Sequence, residues 1–391
     1  MYIKKLIYFI FFGTILYFEA LSISGVKISL LWKFILIIIP FTHLFFSSKK
    51  KIDRITYIYL LFSLSVIINT DVFYHPFDSI SDFFKLLPFV LAYHYGKILS
   101  TNNLLKIIYN VSQFVLLSTI PFQLNLIKPL NSGYDLSIYG IDKEGFIGIF
   151  QNPHSASITL AISLSVYIVI GQNFSKSKVS YLLLIAFGSF SLYLTYVRTG
   201  WAIFIIFISV YNYKKIKLKS LPALTLLLFI LMYSYNYIKE NDKTLQYRVS
   251  DTTIYNNNSS NNLGSGRVRF FIAGLEVFYE SSFFEKIWGI GNDIHERMKP
   301  KTNLSIRTHN GYSDVLLMCG IIGFSLFLIF HWHYLIMILK TDSFKFLNLA
   351  MFSSYIILNL SQGGNFFIFD ILQGFILAFS NHEEYKRRIR I

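Results

Sequence analysis

Cysteine is almost absent from the 391-residue chain, and charged residues are few. Cys319 is the single cysteine, so a disulfide framework and cysteine-built metal sites are excluded. Only 15% of the residues are charged, whereas 54% are hydrophobic and the mean hydropathy is +0.50. A soluble domain carries about 25% charged residues, and one core cannot hide so much apolar surface. The composition therefore predicts an integral membrane protein.

Long apolar runs recur along the chain, separated by short polar or basic stretches. A bilayer core about 30 Å thick needs about 20 apolar residues per helix, and the alternation typical of barrel strands is missing from the sequence. The first run resembles a signal peptide but lacks a small-residue cleavage site, so we expect an uncleaved first helix. The sequence predicts an all-α fold of about twelve transmembrane helices, at residues 4–22, 29–46, 55–70, 83–99, 104–124, 155–171, 179–197, 199–213, 220–238, 313–338, 345–361 and 365–380.

The distribution of lysine and arginine predicts the orientation of these helices, because both residues collect in short cytoplasmic loops. Every second loop is basic, whereas three of the opposite loops are acidic or nearly uncharged. We therefore expect an even number of helices, with both termini in the cytoplasm. This topology accounts for most of the net charge of +15, so no nucleic-acid partner is invoked. The basic stretches lie at residues 49–54, 97–106, 176–178, 214–219, 340–345 and 386–390.

One long segment interrupts the pattern of short loops. Residues 239–311 separate nine predicted helices in 1–238 from three in 312–380, and a basic cytoplasmic tail occupies 381–391. The charge rule places the long loop outside the cytoplasm, and loops of this length usually carry function.

Part of this loop predicts an amphipathic helix. Two positions for that helix stay open: its apolar face lies in the membrane interface or on the ends of the spans, or it packs inside a small extracellular cap. The apolar residues at helical spacing are Val268, Phe271, Ile272, Leu275 and Phe278.

Two arginines are candidates for binding an anion on the outer side of the membrane. Arg198 lies at the outer junction between two apolar runs, where a charge usually faces a cavity or a partner. Arg267 follows Gly264 and Gly266, at the start of the amphipathic helix. A guanidinium and the free N–H groups of a helix N-terminus both suit phosphate oxygens. An interfacial arginine and a solvated loop arginine are the alternatives.

A histidine ends the long loop immediately before an apolar run. His309 lies between Arg307 and Asn310, and a histidine can accept a proton from a hydroxyl near neutral pH. Gly320 and Gly323 follow on one helix face, where they permit close helix packing. Together with the two arginines, this region would suit a substrate with a lipid tail and a phosphate head. A histidine hydrogen-bonded to lipid or backbone is the alternative.

These residues also carry a resemblance to a known family. His309 and Asn310, nine further residues and then Gly320-Ile-Ile-Gly323 resemble the H-[NSQ]-x9-G-x-x-G signature of O-antigen ligases. The sequence YVRTGW, with Arg198, resembles the family's S/T-R-x-x-W pattern. LGSGRVRFF, with Arg267, is similar to the start of its loop helix. FQNPHSASITLA resembles its NPN-x-x-A segment, with His154 in place of the usual asparagine.

The resemblance implies a glycosyltransferase of the C-type fold in the bacterial inner membrane, independent of metal and of any cofactor. Its substrate would be an undecaprenyl-diphosphate-linked oligosaccharide, and its acceptor a lipid-linked repeat unit or lipid A core. Membrane lipids and a chain-length regulator are the further partners implied. Arg198 and Arg267, with Arg307 and Asn310 beside them, would bind substrate, and His309 would act on the acceptor hydroxyl.

Three functions fit these expectations. The leading prediction is a polymerase of O-antigen or a related surface polysaccharide, which joins one lipid-linked repeat unit to another. The alternatives are an O-antigen ligase, which transfers the glycan to lipid A core, and a flippase or other transporter of lipid-linked oligosaccharides. A transporter would place charged residues along the middle of its spans, where Lys85 is the one candidate.

Overall fold

The computed structural model describes residues 22–23, 26–27, 53–128, 145–150, 152–175, 177–213, 267–303, 307–341, 344–363 and 366–389. Within these residues the protein is helical, apart from a two-residue antiparallel pairing of β1 (Ser22–Ile23) with β2 (Val26–Lys27). Predicted spans 29–46 and 220–238, Gly264 and Gly266 lie outside the described residues, as does span 4–22 except for its last residue.

Thirteen α-helices form in the described part of the chain. Before the long loop they are α1 (Arg54–Ser65), α2 (Pro76–Ile98), α3 (Thr101–Leu117), α4 (Ile120–Gln123), α5 (Pro153–Gly171), α6 (Lys178–Leu194) and α7 (Arg198–Asn212). In the loop they are α8 (Arg267–Glu280), α9 (Phe283–Trp288) and α10 (Ile294–Thr302). After it come α11 (Gly311–Leu339), α12 (Lys345–Ser361) and α13 (Phe367–Ile389). Two 3₁₀ turns, Thr70–Phe73 and Gly291–Asp293, complete the list.

Short polar side chains set where several helices begin. The Asp53 carboxylate accepts the Thr56 N–H at 3.2 Å at the start of α1, and Asn152 accepts the Ser155 N–H at 2.8 Å at the start of α5. Pro153 then occupies the first helical position, where its missing N–H costs nothing. The NPH segment is therefore a helix start, with His154 in the first turn.

The helices pack into one bundle around a continuous apolar core. α13 lies along α2, α7 packs between α5 and α12, and α11 packs against α1 and α12. Small residues bring α2 and α13 close: a methyl group added at Gly96 would meet Ala378, and one added at Gly374 would meet Ala92. Such close contacts are typical of helices that associate within a membrane.

Nine of the twelve predicted spans form helices in the described residues. Three helical segments are long and apolar enough to cross a bilayer, namely Thr101–Gln123, Pro153–Gly171 and Gly311–Leu339. Lys178–Leu194 and Phe367–Ser380 are apolar but shorter. The membrane character and the helical fold are thus confirmed, whereas the number twelve stays a prediction. α13 continues to Ile389, through most of the segment predicted as a separate tail.

Candidate functional site

The turn that holds His309 is bound to the first turn of α11. The buried Asp314 carboxylate accepts two hydrogen bonds from Thr308, at 3.0 Å from the backbone N–H and 2.6 Å from the hydroxyl. The Thr308 hydroxyl also lies 2.6 Å from that of Ser313. Asn310 caps the helix by accepting the N–H groups of Tyr312 and Ser313 at 3.0 and 3.2 Å. The chain on both sides of His309 is therefore fixed.

His309 itself has a backbone φ of 55°, in the left-handed region that residues with a side chain seldom adopt. Its ring lies 5.5 Å from the ring of Phe270 in α8. Burial lowers the pKa of His309 below its ordinary value of 6.5; the positive charge of Arg267 lowers it further, and the Asp314 carboxylate opposes both. The imidazole is consequently neutral at physiological pH and able to accept a proton.

Arg267 and His309 come together because α8 packs across the His309 turn. Gly274 makes this approach possible, since a methyl group at that position would lie 2.5 Å from the Thr308 side chain. Arg267 begins α8, at the helix end where free N–H groups favour anions. The structure thus pairs a guanidinium with a neutral imidazole.

Arg198 is connected to this pair through α12. It is exposed as the first residue of α7, which packs against α12. The end of α12 contacts the His309 turn directly, because the Asn310 amide donates to the Leu360 carbonyl at 3.3 Å. The start of α11 also lies close to Asn359 and Gly363, and these neighbours leave no room for a side chain at Gly311. α12 is thus the shared neighbour of α7 and the turn.

Arg307 joins the long loop to the helix α2. Its guanidinium donates to Asn292 Oδ1 at 3.0 Å and to His295 Nε2 at 3.4 Å, and it lies 3.8 Å from Asp82 Oδ2. Asp82 also pairs with Lys85 at 2.5 Å. Lys85 therefore belongs to this polar cluster at the end of the bundle. The substrate contact predicted for Arg307 stays a prediction.

The two glycines of the predicted signature have different partners. Gly320 breaks α11 with φ 62° and ψ −167°, and the Leu317 carbonyl accepts the N–H of Ile290 at 2.8 Å. A side chain at Gly320 would overlap the backbone of Ile287 in α9. Gly323, one turn later, faces Ser65 of α1. The loop is therefore seated in a break of the membrane helix.

Three residues that shape this site were not predicted from the sequence: Thr308, Asp314 and Gly289. Asp314 could have been found from the sequence, because a carboxylate in the first turn of an apolar helix needs hydrogen-bond donors nearby. Gly289 has φ 91°, and a side chain there would overlap Met318 and Cys319. Its role depends on a neighbour about 30 positions away in the chain, which no local pattern reveals.

No three His, Cys, Asp or Glu side chains in the described residues form a group that could hold a metal ion. Metal independence remains a prediction for the protein.

Comparison with known families gives one match, which spans Arg198, Arg267 and His309. The family model described as O-antigen ligase matches residues 181–328. The resemblance to the O-antigen ligase and polymerase superfamily is thereby confirmed, and the domain supports a ligase-like or polymerase-like role. No curated protein matches the chain.

Proposed function

We propose that the protein is a polymerase of O-antigen or a related surface polysaccharide, acting on the outer face of the bacterial inner membrane. It transfers an undecaprenyl-diphosphate-linked glycan to a hydroxyl of a second lipid-linked repeat unit. The observation that carries the proposal is the neutral, half-buried His309 beside Arg267, within the family domain. A base and a cation are the groups that such a transfer needs.

The chemistry follows from the charges that develop during transfer. The acceptor oxygen attacks the anomeric carbon, the bond from that carbon to the diphosphate oxygen breaks, and the acceptor proton passes to His309 Nε2 or Nδ1. The diphosphate leaves with an additional negative charge, which Arg267 and Arg198 stabilise. The reaction requires no metal ion in this proposal.

Inversion at the anomeric carbon is the expected stereochemical outcome. A retaining mechanism by double displacement needs a carboxylate that attacks the sugar. Asp314 is the carboxylate in the first turn after His309, but it is buried and accepts two hydrogen bonds from Thr308. Asp314 therefore supports the position of His309 and is not presented as a nucleophile.

An O-antigen ligase is the second candidate, because the matching family model carries that description. The two functions share the donor and the proposed site, and they differ in the acceptor. A polymerase extends a lipid-linked glycan, whereas a ligase transfers it to lipid A core.

The test compares surface polysaccharide from cells that lack the protein with cells that carry the wild type, His309→Ala or His333→Ala. His333 lies on α11 and hydrogen-bonds the carbonyl of Ile329 in its own helix, at 3.0 Å, away from the His309 turn, so it is a matched control. Single repeat units on lipid A core, in the deletion and His309→Ala strains alone, would establish a polymerase. Long glycan retained on the lipid carrier would establish the ligase. Repeat units trapped inside, or wild-type polysaccharide from His309→Ala, would refute the proposal.

A further inference from the structure

Helix α8 has apolar residues on two opposite faces. With about 100° between successive residues, Ala273, Gly274 and Val277 share one side, and these residues are buried against the bundle. The stripe predicted from the sequence lies about 180° away. Four of its residues, Val268, Phe271, Ile272 and Leu275, are exposed by 36–45%, and Tyr279 on the same side by 82%. The helix thus packs on its small residues and turns its large ones outward.

The same exposed surface continues into α9. Phe283 and Phe284 are exposed by 79% and 61%. Lys286 lies 5.4 Å from the centre of the Tyr279 ring, a cation and aromatic pair of the kind found at membrane interfaces. We call the surface formed by both helices the outward face; it consists of Val268, Phe271, Ile272, Leu275, Tyr279, Phe283 and Phe284.

The position of α8 along α11 indicates the depth of the outward face. Through Gly274, α8 approaches Thr308 and Leu317, so it lies level with the first two turns of α11. α11 is broken at Gly320, and its first turn holds the polar residues Ser313 and Asp314 before the apolar run that begins at Val315. Polar and charged side chains are costly in the hydrocarbon core, so the first turn of α11 lies at the edge of that core, and α8 lies beside it.

The polar residues of α8 occupy a third side, between the buried and the outward faces. Glu276 and Glu280 both pair with Lys301 of α10, and the Arg269 guanidinium donates to the Lys301 carbonyl at 3.4 Å. The helix thus has protein on one side, charged groups on the next and large apolar side chains opposite the protein. This arrangement is that of an interfacial helix at the rim of a membrane protein.

We propose that the outward face inserts into the outer leaflet of the bilayer, so that lipid acyl chains and headgroups cover it. The position of this surface beside the first turn of the membrane helix α11 selects lipid as the occupant, in preference to a second copy of the chain or a soluble protein. The insertion holds the loop at the depth where a lipid-linked molecule would present its phosphate.

Site-directed spin labelling in phospholipid nanodiscs tests the proposal without reference to activity. Cys319, the only cysteine, is buried and is replaced by alanine. Single cysteines are then introduced as Ile272→Cys, Leu275→Cys and Phe284→Cys. Glu276→Cys is the matched control, one residue from Leu275 on the charged side. Gel filtration establishes that each labelled variant is folded.

Labels at the three outward positions should collide more with oxygen, which concentrates in lipid, than with a water-soluble nickel chelate. The label at residue 276 should show the opposite preference. Nickel access at residues 272, 275 and 284 would overturn the proposal, because the face would then contact water. Shielding of those labels from both reagents would overturn it too, because protein would then cover the face.

Discussion

His309 adopts a backbone conformation that costs about 1–3 kcal/mol for a residue with a side chain and is held by bonds on both sides. Thr308 is bound to Asp314, and Asn310 caps α11. Strain of this kind persists where the surroundings over-determine it, which is common at functional sites. In this conformation the imidazole lies against Phe270 of α8, just before α11 begins. This position supports its assignment as the base.

The charges of Arg267 and Asp314 act on the pKa of His309 in opposite directions. A general base acts when deprotonated, so kcat/KM should rise with pH through the pKa of His309 in the free enzyme. Arg267→Gln removes a charge that lowers this pKa, and the midpoint of the rise should move to higher pH. Asp314→Asn removes a charge that raises it, and the midpoint should move to lower pH. The measurement is the pH profile of transfer to a lipid-linked acceptor.

Arg267→Lys is the control for this pair, because it keeps the positive charge and should leave the midpoint in place even if the rate falls. Shifts of equal sign in Arg267→Gln and Asp314→Asn would show that another group limits the rate. A profile that neither substitution moves would contradict the role of His309 as the base.

At the scale of elements, the junction between α9 and α11 depends on two glycines that face one another. Gly289 and Gly320 both have positive φ, and a side chain at either would overlap the opposing backbone. We expect Gly289→Ala and Gly320→Ala each to lower the free energy of unfolding by at least about 2 kcal/mol, since conformational strain alone costs about 1–3 kcal/mol. Thermal unfolding in detergent, followed by loss of the monodisperse species, measures this.

Ile321→Ala is the comparison for this experiment. Ile321 is adjacent to Gly320 on α11 but half exposed, so its truncation should have a smaller effect. Unfolding temperatures of Gly320→Ala and Gly289→Ala that match the wild type would mean that α9 is not seated in the break of α11.

The helix α8 illustrates what a periodic pattern can and cannot decide. The spacing of Val268, Phe271, Ile272 and Leu275 correctly predicts a helix with an apolar stripe, and these four residues are exposed in the part of the loop that the structure describes. The choice of the protein-facing side depends on Gly274, because only a residue without a side chain admits Thr308 at that distance. Hydropathy alone would predict that the larger apolar residues, and not Gly274, face the protein.

For the whole molecule, the α1–α2 hairpin makes polar contacts at both of its ends. At one end Asp53 binds Lys97 at 2.8 Å and Tyr93 at 2.6 Å. At the other end Asp71 accepts the Asn292 N–H at 3.1 Å. The α1–α2 connection and the long loop therefore lie at the same end of the bundle, and their side of the membrane stays a prediction.

Cysteine accessibility tests the absolute orientation. Tyr74→Cys and Glu296→Cys, at exposed sites of the α1–α2 connection and of α10, should react with a membrane-impermeant maleimide in intact spheroplasts. Ser177→Cys, exposed in the loop between α5 and α6, should react only after permeabilisation. The buried Cys319 should give no background. Labelling of Ser177→Cys in intact spheroplasts would contradict cytoplasmic termini and place the proposed site on the wrong face.

The sequence by itself determined that the protein is a helical membrane protein with a resemblance to O-antigen ligases, because apolar length, charge position and motif spacing are properties of neighbouring residues. It also identified His309, Arg267 and Arg198 as candidates. Only the tertiary structure brought Arg267 to His309, bound Thr308 to Asp314 and seated α9 in the break at Gly320. These contacts depend on which helix faces pack against one another. Small residues such as Gly274, Gly289 and Gly320 determine those faces, because only a residue without a side chain lets the backbones approach so closely.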